Sequence, residues 1–150
     1  MPVSLAMVTQ AVDKPPTRVR ALYSWRDGAL GSPVEYSLEG TPCQLVYQGQ
    51  SILIPSELAV RFPKEAAHRS SYCGMPLRNR ADEVMGHFAV ISNEDISQTE
   101  RVEGIFRIFG RRVETELQRM ADDEEKERLI QRLQQQIVAV EWRRNSETGH

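Results

Sequence analysis

The run Val84–Ile91 is apolar on both faces, and it constrains the fold more than any other segment of the chain. A strand of that kind sits near the centre of a sheet covered on both sides. Its expected partner is Ser71–Leu77, reached through the polar loop 78–83 at hairpin spacing. Shortly after it comes Ser97-Gln98-Thr99-Glu100, a capping-box sequence. From there Val102, Ile105, Phe106, Phe109, Val113, Leu117 and Met120 recur at three- and four-residue steps, predicting an amphipathic helix.

The first half supplies more strands. Val3 to Ala11 reads as one, broken by Asp13-Lys14-Pro15-Pro16, and Arg18 to Trp25 as its hairpin partner. In the second, Val19, Ala21, Tyr23 and Trp25 alternate onto one face, and Leu22 is the exception. Asp27-Gly28 and Gly31-Ser32-Pro33 are turn chemistry. Thr41 is a good N-cap and Pro42 suits the first helical position, so a short helix should run from Pro42 to a left-handed cap at Gly49. Ser51–Ile54 is a brief strand stopped by Pro55. Ser56 should cap a second short helix through Phe62, which Pro63 ends.

The tail differs in kind. A charged run, Asp122–Arg128, precedes Ile130, Leu133, Ile137 and Val140, an a/d seam barely two heptads long. The stripe at Val113, Leu117 and Met120 is out of phase with that seam, which predicts a stammer or break between them. Residues 145–150 are expected to be disordered.

At 150 residues the chain should form one domain. A net charge of −2 gives no general attraction to nucleic acid or anionic lipid. No apolar run approaches the ~20 residues of a membrane helix, and Met1–Gln10 does not read as a signal peptide. Two cysteines thirty residues apart make neither a disulfide framework nor a zinc site. A cytoplasmic protein with reduced thiols, without membrane or nucleic-acid partners, is the expectation.

In chain order, the Tyr36–Cys43 turn into a helix, the stop at Arg61-Phe62-Pro63, the strand pair and the stretch Ile108–Leu117 together resemble a GAF domain, the small sensory module of bacterial signalling proteins. The resemblance covers roughly Val3 to Met120. It implies an α+β fold: a central antiparallel sheet of about six strands, short helices and loops over one face, and a long C-terminal helix on the other. Domain bounds follow as 1–120 for the GAF-like part, 121–144 for a charged helical extension and 145–150 for a tail. The resemblance also places a small-molecule pocket between sheet and short helices, with Tyr36, Cys43, Phe62, Tyr72, Cys73, Met75 and His87 as candidates. Members usually begin with a helix beside the C-terminal one, and this chain starts on its first strand. The back of the sheet would then keep apolar surface for a second subunit. The hairpin loop, which normally carries Gly, here has Arg80-Ala81-Asp82.

Each candidate has a plainer role. Cys43 in a first helical turn would feel the dipole that lowers a thiol pKa, yet cysteine is also a common small core residue, the favoured reading here. Cys73 shares a strand face with Met75 and Leu77 and reads as apolar filler. His87, on a face with Met85, Ala89 and Ile91, is more often a hydrogen-bonded core residue than a ligand. No metal cluster, phosphate-cradling loop or catalytic residue can be picked out, and no cofactor is indicated. The cyclic-nucleotide and bilin signatures of the family are absent.

The leading expectation is a sensory or regulatory homodimer that binds a small molecule or partner protein. It would signal through a helix carrying Ile105, Phe109, Val113, Leu117, Met120, Ile130, Leu133, Ile137 and Val140, with a kinase or transcription regulator supplied in trans. The alternatives are a thiol enzyme of the free methionine sulfoxide reductase type using Cys43 and Cys73, and a ligand-free dimerisation module.

Overall fold

The computed structural model describes residues 3–26, 29–31 and 34–147, the stretch 137–147 as helical backbone only. The expected turns at Asp27-Gly28 and Ser32-Pro33 therefore lie outside the described residues, as do the side chains of Ile137 and Val140 and residues 148–150. The elements are β1 (Leu5–Ala11), β2 (Arg18–Arg26), β3 (Ala29–Leu30), β4 (Glu35–Ser37), α1 (Pro42–Tyr47), β5 (Ile52–Ile54), α2 (Leu58–Arg61), β6 (Ser71–Arg78), β7 (Val84–Ser92) and α3 (Thr99–Glu147). The chain forms two compact units, Met1–Glu114 and Thr115–His150.

In the first unit seven strands make one sheet in the order β3-β2-β1-β7-β6-β5, with β4 also pairing β2. Every described pairing is antiparallel. The doubly apolar β7 lies between β1 and β6, where its sequence requires it. Side chains on a strand alternate between faces and directly paired residues share one. One face, the front, carries Leu5, Met7, Val19, Tyr72, Ala89 and Ile91 against Leu38, Cys43, Val46, Tyr47 and Leu58 of the short helices and their connections. Leu58 is the buried residue of the four-residue α2, and burying a leucine contributes about 2 kcal/mol. On the back face Phe88 of β7 stacks on Phe106 of α3 at 4.7 Å.

A β-bulge corrects the expected faces of β2. Val8 pairs Tyr23 but Thr9 pairs Ala21, so Leu22 is the extra residue. Val19 and Ala21 stay on the front and are buried, whereas Tyr23 and Trp25, opposite Val8 and Ala6, turn to the back and are exposed. Leu22, the exception in the pattern, marks the bulge itself.

Caps differ in detail from the sequence reading. Thr41 has the extended N-cap backbone, but its hydroxyl donates back to the Leu38 carbonyl at 2.7 Å rather than into α1. Gly49 does take the left-handed backbone, at φ 101°. For α2 the cap position is Glu57 at φ 57°, not Ser56. In the β6–β7 loop Asp82 takes φ 64°, the conformation a glycine would supply, and Asn79 Oδ1 accepts the Ala81 and Glu83 N–H groups at 3.0 Å. Helix α3 begins at Thr99, with the Val102 N–H donating to Gln98 O, so the expected cap at Ser97 lies one residue too early.

Of the stammer or break expected between Met120 and Ile130, a break is absent: α3 runs unbroken to Glu147, so 145–147 are helical too. In its second-unit part Leu129, Ile130 and Leu133 are exposed, and Glu116–Arg119 and Glu124–Arg128 form surface ion pairs. Pairs of that kind contribute a few tenths of a kcal/mol each. No described helix is long and apolar enough to cross a membrane.

Candidate functional site

Two polar groupings are set into the front-face core. In the first, Tyr36 and Tyr72 both aim their hydroxyls at the Cys43 thiol, at 3.8 Å and 3.5 Å. Tyr36 also reaches the Met7 sulfur at 3.2 Å. Strand β6 makes room for this through Gly74: the Tyr72 ring lies across it, where any Cβ would collide. Phe62 packs against the front-face core that contains Cys43 and Tyr72.

Burial pushes the Cys43 thiol above its ordinary pKa, and the hydrogen bonds from Tyr72 and Tyr36 pull it down by less. The activation expected from a first-turn position is therefore overridden by desolvation. Burial likewise raises the phenols of Tyr36 and Tyr72, so the group is neutral at physiological pH.

The second grouping joins Tyr47, Thr9 and His87. Thr9 Oγ1 lies 2.7 Å from the Tyr47 hydroxyl and is also hydrogen-bonded to His87 Nδ1. The Tyr47 and His87 rings meet at 5.2 Å. His87 Nε2 is buried without a hydrogen-bond partner among the described residues. Thr9 was missed in the sequence, although a polar residue at an inward position of the run Leu5, Met7, Thr9, Ala11 was a legible signal.

Burial lowers the His87 imidazole pKa from 6.5 to about 3, so the folded ring is neutral. The unfolded chain then binds more protons between those two values, and stability is lost as pH falls from 6.5 towards 3. This group contributes a slope approaching about 1.4 kcal/mol per pH unit. Glu65, whose carboxyl burial raises, gives the opposite slope above the ordinary carboxyl value, so the comparison needs a variant. Urea unfolding of wild type and His87→Gln should show the wild-type advantage shrinking on acidification. A difference independent of pH would contradict it.

Cys73 and Met75 are not with the other candidates. Cys73 pairs with Val90, and Met75 with Phe88, on the back face. There Cys73 and Met75 line a small cavity of about 90 Å³ with Glu103 and Phe106 of α3. Burial, and then the Glu103 carboxylate, push the Cys73 thiol up to about 12. Both cysteines are free and buried, with the sheet between them. A nucleophilic thiolate and a resolving thiol need to approach each other, and this placement keeps them apart. Both should react with a thiol reagent only at the rate of unfolding. Rapid labelling of native protein would contradict the burial.

Among the described residues no group of three or more His, Cys, Asp or Glu side chains is placed to hold a metal ion. Of the expected helix stripe, Val113 and Leu117 are half-buried, whereas Ile105, Phe109 and Met120 are exposed.

No protein-family model matches the chain, and no curated protein matches it. Its solved structural neighbours include GAF domains. One is the GAF domain of A. aeolicus nlh2 in an inactive state, 15% identical over 72% of this chain and 67% of that one, with a TM-score of 0.48. Another is the GAF domain of an Acinetobacter phosphoenolpyruvate-protein phosphotransferase, 18% identical over 69% of this chain and 65% of that one, also at 0.48. The chain thus spans about two thirds of each neighbour's length. The GAF-like α+β architecture implied by the sequence resemblance is present, with seven strands where about six were expected.

Proposed function

We propose that this chain is a regulatory GAF-like module that works as a homodimer, paired through the back of its sheet and read out through α3. The observation that carries the proposal is the apolar strip left exposed there. Tyr23 and Trp25 are 58% and 39% exposed, and Ile105 and Phe109 are 49% and 54% exposed. Glu103 and Arg107 face the β5–β6 side, where they line the small cavity with Leu53 and Cys73. At 3.6 residues per turn Ile105 and Phe109 fall on the opposite flank of the helix, towards β1 and β2. The strip therefore runs from Trp25 and Tyr23, across the half-buried Ala6, Val8 and Phe88, to Phe109 and Ile105. A monomer that leaves such a patch in water marks an interaction surface.

A second copy is favoured as the occupant because the outward stripe has a heptad continuation. Counting sevens from Phe109 reaches Ile130, and from Ile105 reaches Leu133, both exposed. Val113 and Leu117, both half-buried, follow Ile105 and Phe109 at four-residue steps, each step about 40° further round the helix and so away from that heptad line. Charged residues fill the heptad positions between, so the two apolar ends would carry the association. Ligand sensing on the front face finds less support, since Cys43, Tyr72 and Leu58 pack there as core. That favours a dimerisation or partner-binding module over an open small-molecule sensor. A dimer binds its folded state by mass action, so its melting temperature should rise with protein concentration. A melting temperature independent of concentration would count against it.

A further inference from the structure

A cleft of about 640 Å³ opens at one end of the sheet, bordering the second core grouping through Tyr47 and sharing no residue with the back-face strip. The β1–β2 connection forms one wall and the start of β7 the other, with Tyr47 of α1 between them. Its size is that of a small-molecule site.

Both walls are held by their own hydrogen bonds. The Asp13 carboxylate accepts the Thr17 and Arg18 N–H groups at 2.8 and 3.1 Å, and the Val12 N–H closes the connection onto Arg18 O. Across the cleft Asn79 holds the loop that delivers Glu83 and Val84. Such a site is preorganised, so a ligand need not be charged the entropy of ordering it.

Tyr47 is the link to the interior. It lines the cleft, and its hydroxyl is tied through Thr9 to His87, whose Nε2 has no partner among the described residues. The charge of the lining is unequal: Asp13 and Glu83 are its two carboxylates and Lys14 its one cation. The Asp13 carboxyl is held below its ordinary pKa by its hydrogen bonds to Thr17, so it is ionised at neutral pH. Gln10 and Asn79 add uncharged polar surface, and Pro16, Val84, Met85 and the Tyr47 ring form the apolar part of the wall.

We propose that this cleft is a binding site for a small organic amine, its ammonium at Glu83 and Asp13 and its apolar or aromatic body against Val84, Met85 and Tyr47. The choice of a cation follows from the excess of carboxylate, and the choice of an apolar body from the wall.

The test uses phenethylamine as probe and 3-phenylpropionate as its anionic counterpart, each titrated into the full chain and followed by amide NMR. Phenethylamine should give saturable shifts at residues 10–14 and 83–85 and at Thr9, and 3-phenylpropionate should not. Glu83→Lys, an exposed change that keeps the wild-type spectrum elsewhere, should weaken phenethylamine by about tenfold or more. Absence of saturable shifts, equal binding of the two probes, or an unchanged affinity in Glu83→Lys would each overturn the proposal.

Discussion

Gly86→Ala should be the most damaging single substitution at a glycine of this fold, destabilising it by about 3–4 kcal/mol, at the upper end for a point mutation. Gly86 sits in β7 opposite Gln10 of β1 and Leu77 of β6, in the middle of the sheet. A Cβ there would overlap the Thr9 carbonyl oxygen, an atom of backbone rather than the end of a flexible side chain. Relief would require the β1–β7 ladder to open beside the Thr9–His87 pair. Gly110→Ala should cost less. Its Cβ would meet the Met75 thioether, which can change rotamer. Gly104→Ala supplies the opposite sign: nothing lies within 4 Å of its Cβ, so the change should stabilise the helix by about 0.5–1 kcal/mol. Equilibrium urea unfolding of the three variants should rank them in that order. A neutral Gly86→Ala would mean that β1 and β7 are not as close as described.

The second large effect is expected at the back-face strip. Trp25→Asp and Phe109→Asp replace side chains only partly buried in the protomer, so each should cost an isolated protomer about 1–2 kcal/mol and leave it folded. At an interface the same positions behave differently. Large aromatics at the centre of a patch carry most of its energy, and losing one costs about 2 kcal/mol or more, some thirtyfold in the dissociation constant. Each variant should shift the dimer towards monomer while its far-ultraviolet spectrum stays that of wild type, and the pair together should abolish association. Val60→Asp is the control, since Val60 is an exposed residue of the front-face helix α2, away from the strip. Equal weakening by Val60→Asp would show that lost apolar surface in general, rather than this strip, sets the association.

Much of this fold was legible because its signals are local. Alternation placed β2, the doubly apolar run placed β7 with β6 as its hairpin partner, Pro42 and Gly49 bounded α1, and Pro63 followed α2. What escaped was the side each residue faces, a property of pairing rather than of any one strand. Leu22 broke the alternation in plain sight, but only its pairing with β1 shows that the bulge sends Tyr23 and Trp25 to the back. Cys73, Met75 and Leu77 were correctly grouped on one face of β6. Which face the short helices would cover could not be read from that grouping, so Cys73 was placed with Cys43. In α3 the four-residue steps Ile105, Phe109, Val113 and Leu117 drift round the helix, and exposure changes along them from exposed to half-buried. Phe109 is exposed and Val113, four residues on and about 40° further round the helix, is half-buried, and periodicity alone does not say which of them meets the sheet. Tyr47 and the cleft beside it arise where the β1–β2 connection meets the β6–β7 hairpin, segments distant in sequence and without a motif in either.

Sedimentation velocity of the wild-type chain, over a wide range of concentration and beside Trp25→Asp, tests the central claim most directly. A species of twice the 17.1 kDa chain mass is expected for wild type, with a monomer for the variant at the same concentration. A wild-type chain that stays monomeric throughout, or a Trp25→Asp variant that dimerises as tightly, would contradict pairing through the back of the sheet.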